Sequence, residues 1–581
     1  MKKLLTTSCS LLSACSLYAE SAWFATIEIE SLQSLQTGIE AFAKAAQIPL
    51  PPDGIPNLAT LFFEEALPLA SPATAVSFKD PIRIFLLEDT EKPIRQGGEP
   101  LAIVDFTLPG EAKALQDQLA KIYGTRRDAD NVITFNTPND HFGPDNLLLS
   151  IRDQKALLAT SKEAFDWFQK QQKLDSFLPP AGKQTVKACA NLKQLISTLD
   201  IPPMPRGEAN PAIAILNDFE YLSLALTPTD QALTVSYGLR AKAGSVIANL
   251  LNEVKPPEAA LWNGLPANAI FGYVGQQSFQ EDAVKIVKAY LGQDIPLDPI
   301  HAKLEQTYTR DLIRYLAPTA DKKAFRIIDL NPLTDVATAK ELIKTLDQGE
   351  KAVGLKKEPS REIGGLTIER YSMTADPTAL RGMMAPAGMV MNPANLAPGG
   401  NPALDPVMAI LSALTKGLVI ECTIKDNYFL SAIGPADATD DWIPTLPFPA
   451  NAATLDKKVA ALDAAAKPLL AAGELNITPF LRQLISMMPN VKPEHLALFS
   501  AKTDAVQFWT TRTADNTTVA SFRVPANEVA AMVKVAQNGQ VLQELINTFF
   551  MTRIMPMMMQ GGGGGPGGGR GGPAIPPPPN F

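Results

Sequence analysis

Two stretches, "IRDQKALLAT" at Ile151–Thr160 and "IKDNYFLSAI" at Ile424–Ile433, align without a gap although they lie far apart in the chain. Each sets a short polar pair, Asp153-Gln154 or Asp426-Asn427, between two strand-like runs. Those residue types suit a tight hairpin turn, because Asp and Asn tolerate the left-handed backbone such turns require. A hairpin met twice prompts a search for further paired segments.

Working outward, "WFATIEIESLQSLQTGIEAFAKAAQIP" from Trp23 pairs with "IFGYVGQQSFQEDAVKIVKAYLGQDIP" from Ile270. Each reads as a strand leading to a serine, Ser31 or Ser278, and then a helix. Both serines sit where an N-cap belongs, and Glu281 three residues after Ser278 would complete a capping box. Leu32, Leu35, Ile39 and Phe42 form one apolar stripe; Phe279, Ala283, Ile286, Val287 and Tyr290 form its counterpart. "TIEIE" at Thr26–Glu30 alternates, which predicts a wet outer face.

"IVDFTLPGEAKALQDQLAKI" from Ile103 pairs with "IIDLNPLTDVATAKELIKTL" from Ile327 as strand, Pro-bearing turn and amphipathic helix. "VITF" at Val132 and "LTIERY" at Leu366 supply the next strands. After the hairpins, Thr160 with Glu163 reads as a capping box, and Pro435 suits a first helical turn. Short helices follow at "LKQLIS" (Leu192–Ser197) and "LRQLIS" (Leu481–Ser486), then hairpins in "YLSLALTPTDQALTVSYGLRAK" and "LALFSAKTDAVQFWTTRTA". The shared Thr-Asp at Thr229-Asp230 and Thr503-Asp504 marks their turns, and "SVIANLLNEV" and "ANEVAAMVKVAQ" close the two units as helices.

The fold class expected is therefore α+β: two tandem copies of a module with mainly antiparallel, hairpin-built sheets, each with helices packed on one face. Apolar runs such as "LLLSI" leave room for a second covered face. The first copy is placed at 22–256, with a larger unit at 22–182 and a smaller one at 183–256. The second is placed at 257–553, with a larger unit at 266–447 and a smaller one at 452–550. The Pro-rich stretch Glu253–Asn268 links them.

The N-terminus, "MKKLLTTSCSLLSACSLYAES", reads as an export signal over residues 1–19: two lysines, a short apolar run and a small-residue exit. The run is too short to span a bilayer. Two processing routes are open: cleavage after Ala19, or lipidation at Cys15, since "LSAC" resembles a bacterial lipobox. The chain is accordingly expected to be exported and periplasmic, outer-membrane-associated or secreted. No transmembrane span is expected, and membrane association only through Cys15.

The chain has 581 residues, 46% of them apolar and a net charge of −8. That composition is globular, and an acidic balance lacks the basic footprint that nucleic acid or an anionic bilayer requires. With Cys9 and Cys15 in the signal, only Cys189 and Cys422 remain, too few for a disulfide framework.

Two segments lack folding composition. One is an insert in the second copy, Arg381–Pro406, rich in Met, Pro, Gly and Ala. The other is the tail at 554–581, whose Gly/Pro composition from Gly561 onward suits a flexible end. Just ahead of the glycines stands "FFMTRIMPMMM", Phe549–Met559. Met551, Met555, Met557, Met558 and Met559 there are the candidate contact surface, because thioethers are adaptable apolar groups; copper(I) is a remote alternative.

Recognisable catalytic chemistry is missing from the sequence. Three histidines, His141, His301 and His495, share no ligand spacing, and there is no Gly-x-Ser-x-Gly, Walker, His-Glu-x-x-His or Cys-x-x-Cys pattern. Asp128, Asp130, Asn131, Asn139, Asp140, Asp145 and Asn146 flank one strand and carry oxygen ligands suited to calcium, but these are also ordinary turn residues. The adjacent pair Glu64-Glu65 points apart on a helix. No catalytic residue, cofactor or metal is assigned.

The strand–helix–strand–hairpin–helix pattern, with its "ALLATSKEAF" step at Ala156–Phe165, resembles exported bacterial proteins of unknown function built from duplicated modules. The resemblance implies export and duplication and carries no activity. The function expected is a non-catalytic binding or scaffold protein of the bacterial envelope, its partner an envelope protein or ligand. The alternatives are a carrier holding an apolar ligand between sheet and helices, and an enzyme working through carboxylates without His.

Overall fold

The structure is a computed structural model. It describes residues 23–50, 76–89, 100–122, 124–127, 132–136, 146–170, 184–198, 211–266, 269–277, 279–294, 299–319, 324–345, 355–373, 418–435, 455–463, 468–487, 491–513, 517–541 and 543–544. The fold is mixed α and β.

The first half runs β1 (Trp23–Ile29), α1 (Leu32–Ala45), β2 (Ile82–Leu87), β3 (Leu101–Thr107), α2 (Ala112–Ile122), β4 (Gly124–Arg127), β5 (Ile133–Asn136), β6 (Asn146–Arg152) and β7 (Lys155–Ala159). It continues with α3 (Lys162–Lys170), β8 (Val186–Asn191), α4 (Leu192–Thr198), α5 (Pro211–Leu216), β9 (Phe219–Pro228), β10 (Ala232–Ala241) and α6 (Val246–Glu253). The second half runs β11 (Phe271–Gln276), α7 (Gln280–Leu291), α8 (Pro299–Gln306), β12 (Asp311–Pro318), β13 (Phe325–Pro332), α9 (Val336–Thr345), β14 (Leu355–Ile363), β15 (Leu366–Met373), β16 (Leu418–Lys425) and β17 (Tyr428–Pro435). It ends with α10 (Leu455–Leu462), β18 (Leu469–Leu475), α11 (Ile477–Ser486), α12 (Pro493–Ala497), β19 (Val506–Arg512), β20 (Thr517–Pro525) and α13 (Ala526–Gln537).

All the strand pairings are antiparallel, and they join the strands into a single open sheet. Across the second half the order is β14-β15-β16-β17-β13-β12-β11-β18-β19-β20. The first half continues it as β10-β9-β8-β1-β2-β3-β7-β6-β5-β4. The halves meet at the β10–β20 ladder, from Ala232↔Pro525 to Arg240↔Thr517. Each half has the same pattern of pairings, read outward from this seam. The sequence suggested separate sheets; the exposed ladder edge of β10 is instead satisfied by β20, which removes two edges that would otherwise be sticky. The outer edge β14 is blunted by Lys356, Lys357, Glu358 and Pro359.

Helices cover both faces, not one. On the front face α1 and α2 bury Leu32, Leu35, Leu115 and Leu119 against Ile29, Phe106, Leu149 and Leu158, and α9 packs Ala339 and Ile343 on Tyr371, Cys422 and Ile424. On the back, α3 sets Ala164 and Phe165 against Phe85 and Leu157, and α10 sets Leu455 and Val459 against Leu430 and Ala432. Strands apolar at successive positions need such double cover. The linker is also part of the fold: Leu261, Trp262 and Leu265 are buried in the second half's back core.

Several local readings shift. Ser31 caps α1, accepting from Ser34 N–H at 3.0 Å. At α7 the residue before the helix is Phe279, whose N–H donates to the Asp282 carboxylate at 2.9 Å, so Asp282 does the work assigned to Glu281. Ser161, not Thr160, caps α3, accepting from Ala164 N–H at 3.1 Å. Thr160 is taken up by the β3 backbone, its Oγ1 accepting from Ala102 N–H at 2.8 Å. Pro435 ends β17.

The two matching hexapeptides are not equivalent: "LKQLIS" opens α4, whereas "LRQLIS" begins four residues into α11. Leu and Ile four apart make a generic core-facing pair, which recurs wherever a short helix packs. The second Thr-Asp is likewise not a hairpin turn. Thr503-Asp504 precedes β19, with Asp504 held by Asn527 at 3.1 Å. The true counterpart of Thr229 is Thr513: each hydroxyl accepts the backbone N–H that begins the next strand, Ala232 or Thr517, at 3.1 Å.

The wet face expected for "TIEIE" is mostly dry: of its three residues only Glu30, beyond the end of β1, is exposed. Thr26 and Glu28 are buried, and Glu28 is flanked on its neighbouring strands by Arg83 at 2.9 Å and Lys187 at 3.3 Å. Alternation reported two different faces correctly, but both are interior. The hairpin turns stand as read: Asp153, Gln154 and Asp426 have positive φ of 47°, 66° and 53°.

Candidate functional site

The β9–β10 hairpin and the β19–β20 hairpin lie side by side at the seam. In β9 and β10 the front-facing residues alternate, so Leu224 stands opposite Tyr237. In β19 and β20, Phe508 stands opposite Phe522. The seam register sets Tyr237 against Ala520 and Val235 against Phe522, so the two large rings are diagonal neighbours. They stack at 6.0 Å between centroids, 18° from parallel. Phe522 in turn stacks on Phe508 at 6.2 Å.

The row extends into β11. Phe508 lies 6.0 Å from Phe271 and 6.4 Å from Tyr273. It crosses β18 only because residue 473 is Gly; a Cβ there would collide with the Phe508 ring. Tyr273 folds over Gly275 in the same way, its hydroxyl donating to Gln276 O at 3.4 Å. Two glycines therefore clear a path for one continuous row of rings.

Helix pairs bound this row at both ends of the central strands. At one end α13, which follows β20 directly, packs against α1, and Gly38 of α1 sits on Pro228 at the end of β9. At the other end α6 packs against α7, and Arg512, at the end of β19, donates to Leu251 O of α6. Glu253 of α6 faces Lys285 of α7 at 3.7 Å and Arg310 at 3.6 Å. Each pair joins one half's closing helix to the other half's opening helix. Between them the sheet is open: Leu224 is 49% exposed, and Tyr237 and Phe522 are each 41% exposed.

Large apolar groups side by side on an open sheet face are what an interaction surface needs and a solvated face avoids. The row offers flat rings, two phenols and no charge. It can hold apolar or thioether groups by contact; it has no nucleophile or acid–base pair.

The residues singled out from the sequence lie elsewhere. Cys15, Met551, Met555, Met557, Met558 and Met559 are outside the described residues, as are Glu64, Glu65, His141, the insert and most of the Asp/Asn loops. Among the described residues no group of three or more His, Cys, Asp or Glu could hold a metal ion. No helix of the described residues is long and apolar enough to cross a membrane. His301 is on α8; His495 is buried on α12, its Nε2 3.4 Å from Glu544. Burial pushes the Cys189 and Cys422 thiols up to about 12, so neither is poised as a nucleophile.

Sequence reasoning missed the row because "LSLAL" and "TVSYGL" alternate large apolar with small residues, a pattern that reads the large face as covered, and periodicity cannot say which face a helix covers. The detectable signal was the pair of strand glycines, 473 and 275, each beside an aromatic strand. Comparison of the chain with protein-family models, with curated proteins and with solved structures finds no match.

Proposed function

We propose that this chain is an exported, non-catalytic binding or scaffold protein of the bacterial envelope, built as two tandem copies of one module, with its binding surface at the seam. The observation that carries the reading is the open aromatic row of Tyr237, Phe522 and Phe508 with Leu224. Duplication is supported by the repeated pairing pattern of the two halves. It is supported again by the register, which places Tyr237 and Phe522 at corresponding positions on either side of the seam. Export rests on the Lys2-Lys3 start and short apolar run of the first nineteen residues. An envelope partner presenting an apolar segment would bury the row while the four helices at its ends set its direction.

The test is capture from detergent-solubilised envelope by the immobilised mature chain, beside Tyr237→Ser/Phe522→Ser and the distant surface variant Lys162→Ser. A partner retained by the wild type and by Lys162→Ser, but lost from the double variant at unchanged melting temperature, supports the reading. Equal capture by all three removes the seam as the binding surface. Intact mass of the envelope-derived protein checks export, with a start at Glu20 or an acylated Cys15 expected.

A further inference from the structure

The chain itself carries an apolar segment suited to the seam. The last described residue, Glu544, is held beside α12 by Lys492 at 3.2 Å and by His495 at 3.4 Å. It belongs to the stretch that follows α13, and α13 begins four residues after Phe522 and forms part of the rim of the open row. The chain beyond Glu544 runs to Phe581 and includes "FFMTRIMPMMM" at 549–559. Reach is sufficient. A twelve-residue helix such as α13 carries the chain only about 18 Å. The residues from 545 to 559 can extend roughly 50 Å. Crossing the four central strands takes about 15 Å.

The chemistry matches. Five thioethers, two phenyl rings and one isoleucine stand in eleven residues with a single charge, Arg553. Sulfur packs favourably against aromatic rings, and unbranched Met adapts to an irregular row. Both the row and the segment are apolar surface that a chain in water covers when it can. An intramolecular contact has the further advantage of high effective concentration over a second copy or a free partner.

We infer that residues 549–559 occupy the seam row of Leu224, Tyr237, Phe522 and Phe508 in the resting protein, and that an envelope partner binds by displacing them. The inference rests on the reading of the seam as the binding surface. It makes the C-terminal segment a self-supplied, competitive cover.

The test places benzoyl-phenylalanine at position 224 of the full mature chain. Irradiation is followed by peptide mapping and by sizing of the adducts. The expected result is an adduct within one chain, on residues 549–559, independent of protein concentration and retained when residues 560–581 are removed. Adducts only between chains, or none in 549–559, overturn the inference. A second readout needs no unnatural residue: peroxide should oxidise Met551, Met555, Met557, Met558 and Met559 at least threefold more slowly in the wild type than in Tyr237→Ser/Phe522→Ser. Equal rates overturn it. The two readings fail separately. Loss of envelope capture in the double variant without any internal adduct keeps the binding surface and rejects self-cover. An internal adduct with capture unaffected by the double variant supports self-cover and rejects the seam as the partner's site.

Discussion

Ser236 of β10 and Ser521 of β20 stand directly opposite each other, their hydroxyl oxygens 2.7 Å apart. They are also the middle pair of the seam register, so each half contributes the same residue type at the same step. The rings of Tyr237 and Phe522 flank this pair on the opposite, open face. A small polar pair keeps the back of the seam thin while each serine satisfies the other. Ser236→Ala and Ser521→Ala should each cost about 1 kcal/mol, because each leaves the other hydroxyl, buried at Ser521 and half-buried at Ser236, without its partner. The double variant should cost clearly less than the sum. Urea melts of the four proteins measure this; strict additivity would show that the pair is not coupled.

Gly38 gives a sharper steric test. Exchanging a mid-helix Gly for Ala normally gains up to about 1 kcal/mol. Here the added Cβ would stand 2.6 Å from Pro228 O, a backbone atom that cannot swing aside. Overpacking of that kind costs about 1–3 kcal/mol, so the clash outweighs the propensity and Gly38→Ala should lower the melting temperature. A higher melting temperature would mean that α1 is not seated on β9 as described.

The buried carboxylate Glu28 should be far more sensitive than a surface ion pair. Glu28→Ala removes the carboxylate that bonds Arg83 at 2.9 Å and Lys187 at 3.3 Å, cations whose side chains are only 26% and 14% exposed. A loss of about 3 kcal/mol is expected in denaturant melts. Lys162→Ala, which breaks the exposed pair with Asp166, should change stability by less than about 0.5 kcal/mol.

Two aspartates should bend the pH dependence in opposite senses. Burial would raise the Asp282 carboxyl, but its bonds to Arg310 and to Phe279 N–H, with the charges of Arg310 and Lys285, hold it below its ordinary 3.8. A depressed folded value gives stability that is present above the unfolded value and lost as pH falls through the folded one. Asp282→Asn should therefore be destabilised at pH 7 and converge on the wild type as pH falls below the ordinary carboxylate range. Asp105 is raised, by burial more than Lys155 and Arg83 can offset. Its ionisation penalises the fold above the ordinary carboxylate range, so Asp105→Asn should be neutral or stabilising at pH 7. Thermal melts from pH 2.5 to 8 read both.

Cys189 lies inside the back layer and Cys422 inside the front layer, their thiols pushed up by burial. Neither should react with a disulfide reagent at pH 8 in the native protein, and both should react within the unfolding transition. Rapid labelling of either in the native state would place it at the surface instead.

What the sequence determined by itself was local. The hairpin turns at Asp153-Gln154 and Asp426-Asn427, the Ser31 cap and the amphipathic helices could be read because their signals sit within a few residues of the structure they specify. The order of segments also pointed to an α+β fold with repeated units. The tertiary structure decided the rest. It decided that Glu28 is buried, because the cations that pair it come from strands 55 and 159 residues away. It decided that the halves share one sheet, because any antiparallel apolar strand can pair with many others, and the choice of β20 as partner for β10 is a long-range energy with no local mark. It decided, finally, which face of the central strands stays open. Tyr237 and Phe522 are apolar residues in apolar strands, and only the placing of four helices at the ends of the seam leaves them uncovered.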